Sequence, residues 1–245
     1  TPLTLSVTQN GSSVLDRLGL PQGELVQDVS QKVVEATGLR VGDRFYVTNP
    51  NTNRKTAVTI DARDTLQTLA TKIETRLARE WLDTIGDPAD TTVVPGNHDA
   101  YVPGAHDKAM AAWYPYVRGD GDKENWAEDR KIFPYMRVRG PVALIGCSTS
   151  IATPPFSATG YFGRRQARAT AELLKKAGSM GLFRVLMIHH PPIHGATPAH
   201  KRLYGIRRFQ KVIHKHGAEL VIHGHTHLAT RYDIDGLNGK VPVIC

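Results

Sequence analysis

Val93-Val94-Pro95-Gly96-Asn97-His98-Asp99 joins a β-branched run to a Pro-Gly break, after which an amide, an imidazole and a carboxylate follow without a gap. Residues 91–94, Thr-Thr-Val-Val, read as a buried strand bounded by turn formers. Pro95-Gly96 ends that strand and presents the next three side chains at its carboxyl end, where open α/β sheets hold their ligands. Asn97 offers a neutral oxygen ligand, His98 a proton donor near neutral pH, and Asp99 a carboxylate able to orient the imidazole. An Asx-type turn after a strand accounts for the same residues equally well. The second half of the chain bears on the choice.

Two more apolar runs end the same way. Residues 182–188 form a continuous apolar strand that stops at His189-His190-Pro191-Pro192. Residues 219–222 form a short strand that stops at His223-Gly224-His225-Thr226-His227. If these strands are parallel, all three polar clusters reach one edge of a sheet. Imidazole nitrogens with a neutral amide oxygen suit borderline metals such as zinc, manganese or iron. His225 and His227, at i and i+2 after a glycine, can both face one ligand because a tight turn breaks the strand's alternation. Each cluster alone reads as structural; the three in this order point to a metal site.

A chain of 245 residues holds one large domain or two small ones, and 40% hydrophobic with 22% charged residues is a globular composition. No apolar run approaches a membrane span, and the N-terminus shows no signal peptide. The start at Thr1 reads as a fragment or a processed product. Cys147 and Cys245 are the only cysteines, which excludes a disulfide framework and a cysteine metal site and suggests a cytoplasmic setting. A net charge of +8 suits an anionic substrate or a nucleic acid. The basic residues, however, sit in helical stretches: Arg164, Arg165, Arg168, Lys175 and Lys176, then Lys201, Arg202, Arg207, Arg208, Lys211 and Lys215. Solvated helix faces explain them, which disfavours nucleic acid as a partner.

All 11 histidines fall at or after position 98, so the chain divides. Residues 1–76 read as a small β-rich α+β module. It has a strand over 3–7, a helix over 27–36, and a hairpin of 44–48 with 55–60 around Asn49-Pro50-Asn51-Thr52-Asn53. Asp64 serves as N-cap of a helix running to 82, with Leu66, Leu69, Ile73, Leu77 and Trp81 at helical spacing. Residues 77–245 read as α/β. Helices fall over 106–116 (interrupted at Pro115), 163–176 and 203–216; strands over 135–139, 142–147, 229–234 and 240–244; and an exposed loop over 119–129.

Gly96-Asn97-His98-Asp99, His189-x-Pro191 and Gly224-His225-Thr226-His227 resemble three of the five motif blocks of the calcineurin-like metallophosphoesterase superfamily. Val142-Ala-Leu-Ile-Gly-Cys-Ser-Thr149, Ala158-Thr-Gly160 and Gly163-Arg-Arg-Gln166 are similar to bacterial members related to cyclic-nucleotide phosphodiesterases. The resemblance covers residues 77–245. It implies a truncated α/β/β/α sandwich and hydrolysis of a small phosphomonoester or phosphodiester by a metal-activated hydroxide. By motif it assigns Asn97, His189 and His225 to the second metal of a two-metal site and His227 to the first. His98 stabilises or protonates the leaving oxygen, and Asp99 orients it. His190, His194 and His223 flank the motifs as supporting, substrate-facing or structural residues. In the first segment, Gly42-Asp43-Arg-Phe-Tyr-Val47, residues 57–61 and residues 64–73 resemble β-rich modules of flagellin and hook-associated proteins.

The family's first two blocks, an Asp-x-His and a Gly-Asp that bridges the ions, have no counterpart. There is no Asp-x-His and no histidine before 98. Gly86-Asp87 runs into Pro88 and fits a loop, while Gly42-Asp43 lies in the first segment. Val241-Pro-Val-Ile-Cys245 stops where family members continue with further strands. Residues 1–76 therefore stand where the N-terminal third of a metallophosphoesterase would be. The expectation is impaired two-metal catalysis, with one divalent ion (Mn, Fe or Zn) or none, unless Asp61 or Asp64 reaches the site. The alternatives are a non-catalytic remnant holding one metal through Asn97, His189 and His225, or a self-associating assembly protein led by the N-terminal module.

Overall fold

The computed structural model describes residues 3–5, 23–25, 31–48, 55–101, 104–122, 132–154 and 156–245. They fall into two compact units, Thr1–Ala78 and Arg79–Cys245.

In the first unit, β1 (Leu3–Leu5) pairs antiparallel with β2 (Gly23–Leu25). The predicted hairpin is present as β3 (Arg44–Thr48) and β4 (Lys55–Thr59), paired from Arg44↔Thr59 to Thr48↔Lys55, and its turn lies outside the described residues. Of the helix expected over 27–36, one turn is described, α1 (Val33–Ala36). Val33, Val58, Ile60 and Leu69 form a small core. The long helix α2 (Leu66–Ile85) is capped by Thr65, not Asp64: Thr68 N–H donates to Thr65 Oγ1 (3.2 Å) and Thr65 N–H to Thr68 Oγ1 (2.8 Å). Asp64 is buried and accepts from Asp61 N–H (2.8 Å) and Lys72 Nζ (2.5 Å), which removes it from capping.

The second unit is α/β. Its six-stranded sheet has the order β11 (Arg231–Asp235), β12 (Lys240–Ile244), β10 (Leu220–Ile222), β8 (Phe183–Met187), β6 (Val142–Gly146), β5 (Tyr135–Arg139). The four inner strands are parallel and the two edges antiparallel. A two-stranded parallel sheet pairs β7 (Gly160–Tyr161) with β9 (Leu203–Tyr204). The helices are α3 (Ala105–Val117), α4 (Arg164–Ser179) and α5 (Ile206–His216). Period-2 alternation puts Ile145, Leu186, Val221 and Val243 on one sheet face. There they pack with Ala167, Ala171 and Leu174 of α4 and Phe209 and Ile213 of α5. On the opposite face Phe183, Ile222 and Ile244 stay exposed. Among the described residues no helix is long and apolar enough to cross a membrane.

Three expectations are corrected. Residues 91–94 are extended but half-buried and join no sheet. Side chains dock them instead: Thr91 C=O accepts from Arg137 (2.7 Å), Val93 C=O from Tyr135 O–H (2.5 Å), and Val93 N–H donates to Tyr116 C=O (3.3 Å). Pro115 does not interrupt α3, which runs on to Val117, because in the last turn it costs one helical hydrogen bond; nearby, Ala112 C=O takes Arg79 (2.7 Å) and Pro115 C=O takes Arg137 (2.8 Å). Residues 203–216 are a strand and a helix, separated by Gly205 at φ 101°. Of the expected 119–129 loop, residues 123–129 lie outside the described set.

Arg137 is 2% exposed and donates to the carbonyls of Pro88, Thr91, Pro115 and Arg118, all at 2.7–2.8 Å. One guanidinium thus satisfies four strand-free carbonyls that would otherwise be buried and unpaired. Arg137→Met is expected to lower the urea midpoint by the equivalent of about 3 kcal/mol, and Arg137→Lys to recover less than half, since an ammonium lacks the planar fork.

Candidate metal centre

Parallel pairing of β8 with β10, Val185↔Leu220 to Met187↔Ile222, makes both strands leave the sheet at one edge. His189 follows β8 and His225 follows β10. Their rings meet Asn97 from the 3-10 turn Asn97–Asp99. Asn97 Oδ1, His189 Nε2 and His225 Nδ1 form a triangle with edges of 2.9, 3.0 and 3.2 Å. A divalent ion bound at about 2.1 Å, with angles between right-angled and tetrahedral, separates its ligand atoms by about 3.0–3.4 Å. The three atoms fit such an ion.

The surrounding contacts fix which lone pairs face inward. His225 Nε2–H donates to Lys201 C=O (3.0 Å), so the neutral ring carries its lone pair on Nδ1. Asn97 Nδ2 donates to the Tyr101 hydroxyl, which turns Oδ1 toward the histidines. Burial first, and then the neighbouring imidazoles, push His189 down to about 3. Burial likewise lowers His225, against the opposing pull of the Lys201 carbonyl. Neutral imidazoles are the ligating form.

The backbone is shaped around this contact. A Cβ on Gly96 would stand 2.9 Å from His189 Cε1, so only glycine lets the loop lie against that ring. His225 and His227 both adopt left-handed backbone, at φ 73° and 56°. Such a conformation costs a non-glycine residue about 1 kcal/mol or more and concentrates at functional sites. Ser150 Oγ reaches the carbonyls of Pro95 (2.8 Å) and Gly96 (2.7 Å), tying the loop to the end of β6.

The other predicted residues are distributed differently. His190 lies close enough to His189 and His225 to be grouped with them as a ligand, but both its nitrogens are engaged. Nε2–H donates to Ala158 C=O (3.1 Å), and Nδ1 accepts from Thr149 Oγ1 (2.7 Å). Burial pushes it down to about 4. Its ring packs on His225 at 4.4 Å and His189 at 4.9 Å between centroids, which makes it a support. His223 is buried, with Nδ1 on Gly224 C=O (2.9 Å) and Nε2 unpartnered. His227 and His194 are exposed and stand outside the triangle. His98 is exposed, edge-on to the Tyr101 ring at 4.8 Å. Asp99 Oδ2 accepts from Gly96 N–H (2.7 Å) and closes the turn. Sequence reasoning missed Tyr101, Thr149 and Ser150; the Ser148-Thr149-Ser150 run directly after an apolar strand was the available signal for two of them.

Gly96→Ala is expected to weaken Mn²⁺ binding by at least about tenfold, read by titration, while the far-ultraviolet circular dichroism stays native. His227→Gly, by relieving left-handed strain at an exposed position, is expected to raise stability by about 1 kcal/mol in urea unfolding.

Over 74 residues, 30% of this chain and 8% of the other, the chain is 45% identical to the regulatory protein FlaEY of Caulobacter vibrioides. The chain thus spans a small fraction of that relative's length. The family model of the calcineurin-like phosphoesterases matches residues 41–229, which include Asn97, His189 and His225. With over three quarters of its length matched, the chain belongs to the calcineurin-like phosphoesterase family.

Proposed function

We propose that this chain is a divalent-metal-dependent phosphoesterase domain that retains one half of a two-ion site and hydrolyses small phosphoesters weakly. The observation that carries the reading is the triangle of Asn97 Oδ1, His189 Nε2 and His225 Nδ1. These residues hold one ion, which when bound supplies Lewis-acid polarisation of a phosphoryl oxygen. His98, exposed beside the triangle's loop, gives its proton to the leaving oxygen of the ester. Tyr101 contacts both Asn97 and His98 and sets their orientation together. His190 keeps the two ligand rings apart and upright.

Weak turnover follows from the missing carboxylates. The sequence has no Asp-x-His, and the acids that might substitute have other work. Asp61 and Asp64 bind Lys72 at 2.8 and 2.5 Å, and Asp87 accepts from Ala89 N–H (2.8 Å) within its own turn. Loss of ligating or supporting groups costs about 10–100-fold each in metal affinity or activity. A second reading, a non-catalytic assembly or regulatory protein led by the N-terminal module, draws on the FlaEY match, whose 74 residues equal the module in length to within a few. It requires self-association, which a sizing column reads.

Elemental analysis after loading with Mn²⁺ or Zn²⁺ is expected to give one ion per chain, lost in His225→Ala. Hydrolysis of an aryl phosphodiester is expected to be slow, Mn²⁺-stimulated and abolished by the same substitution. Two ions per chain would sink the half-site, and metal-independent hydrolysis would sink the assignment of the activity to it.

A further inference from the structure

A second feature of the α/β unit lies away from the metal centre and shares no lining residue with it. Between α4 and the end of α5 is a cleft of about 800 Å³ lined by Arg164, Arg165, Arg168, Lys175 and Lys215, with Glu172 as its single acid. Glu172 is already held by Lys175 at 2.9 Å. Among the described residues none of Arg164, Arg165, Arg168 or Lys215 is paired with an acid. Solvated helix faces normally mix both signs at i, i+4 spacing; this one collects mostly one sign where two helices meet, so the like charges raise the local positive potential. Burial lowers His216 at the same cleft, with Lys175 and Lys215 adding to the effect, so the local field is felt by a neighbouring titratable group.

The arrangement is linear. Arg164 and Lys175 are eleven residues apart on one helix, which spans roughly 16 Å at 1.5 Å per residue. Three unpaired guanidiniums at one end and the Lys215 ammonium at the other, with Lys175 already held by Glu172, match a short row of anionic groups. Guanidinium forks are the side chains that take phosphoryl oxygens two at a time. The groove is open and its cations are exposed, and their short reach favours a small ligand over a long duplex, which needs an extended basic stripe.

We infer that the α4–α5 cleft is a binding site for a small ligand carrying three or more linked phosphate groups, distinct from the metal centre. Calorimetric titration of the 245-residue chain, freed of metal by a chelator, with inorganic tripolyphosphate tests it. One site per chain is expected, weakened by added salt, with orthophosphate binding at least about tenfold more weakly. The double variant Arg165→Ala, Arg168→Ala, at exposed positions that leave the fold intact, is expected to lower tripolyphosphate affinity at least about tenfold. His225→Ala is expected to leave it unchanged. Undiminished binding in the double variant, or loss in His225→Ala, would overturn the assignment by placing the anion elsewhere. Absence of binding at low salt would overturn it outright. A single-stranded oligonucleotide that binds more tightly than tripolyphosphate and fails on the double variant would reassign the cleft to nucleic acid.

Discussion

The parallel pairing of β8 with β10 is the constraint from which the site follows. Two strands that run the same way in adjacent positions must release their next residues at the same edge, and here those residues are His189 and Gly224-His225. Gly224 N–H donates to His189 C=O (3.0 Å), so the ladder extends one step beyond the strands and holds the two turns in register. The apolar face of the same strands, packed on α4 and α5, anchors the edge. Sliding β10 by one residue would turn Val221 out of the core and His225 away from His189 together.

The contacts around the histidines show how a chain holds three lone-pair donors within about 3 Å of one another. Each has its second polar atom committed elsewhere or its ring pinned by packing: Asn97 on Tyr101, His225 on Lys201, His189 between Gly96 and His190. The left-handed backbone at His225 and His227 is a local cost that β10 before the turn and β11 after it, both paired with β12, sustain. Stability is lost at the turn so that geometry is gained at the ring.

The calcineurin-like phosphoesterase match reaches from residue 41 to 229 and spans Asn97, His189 and His225. Within that span Asp61 and Asp64 are tied to Lys72. In the sheet, Phe183, Ile222 and Ile244 stand exposed on the face opposite the helices. In a sandwich that face would be a core.

The sequence by itself determined the inner elements of the α/β unit. Residues 142–147, 182–188 and 219–222 are apolar enough to read as strands; His189 stands directly after the second, His225 after Gly224 beyond the third, and Asn97 after the Pro95-Gly96 break. Those features are local, so they are legible in a linear chain. The tertiary structure alone decided the rest, because it depends on partners far apart in sequence. Thr91-Thr92-Val93-Val94 has the composition of a strand, yet the side chains of Arg137 and Tyr135 take its carbonyls and leave no ladder for it to join. His190 has the same neighbours in sequence as His189, but alternation turns it toward Thr149 and Ala158, so one is a candidate ligand and the other its support. The row of cations on α4 reads as a solvated face until the fold brings Lys215 of α5 to the same open groove. Residue type states what a side chain can do; which lone pair points where is settled by the distant groups that take its other atoms.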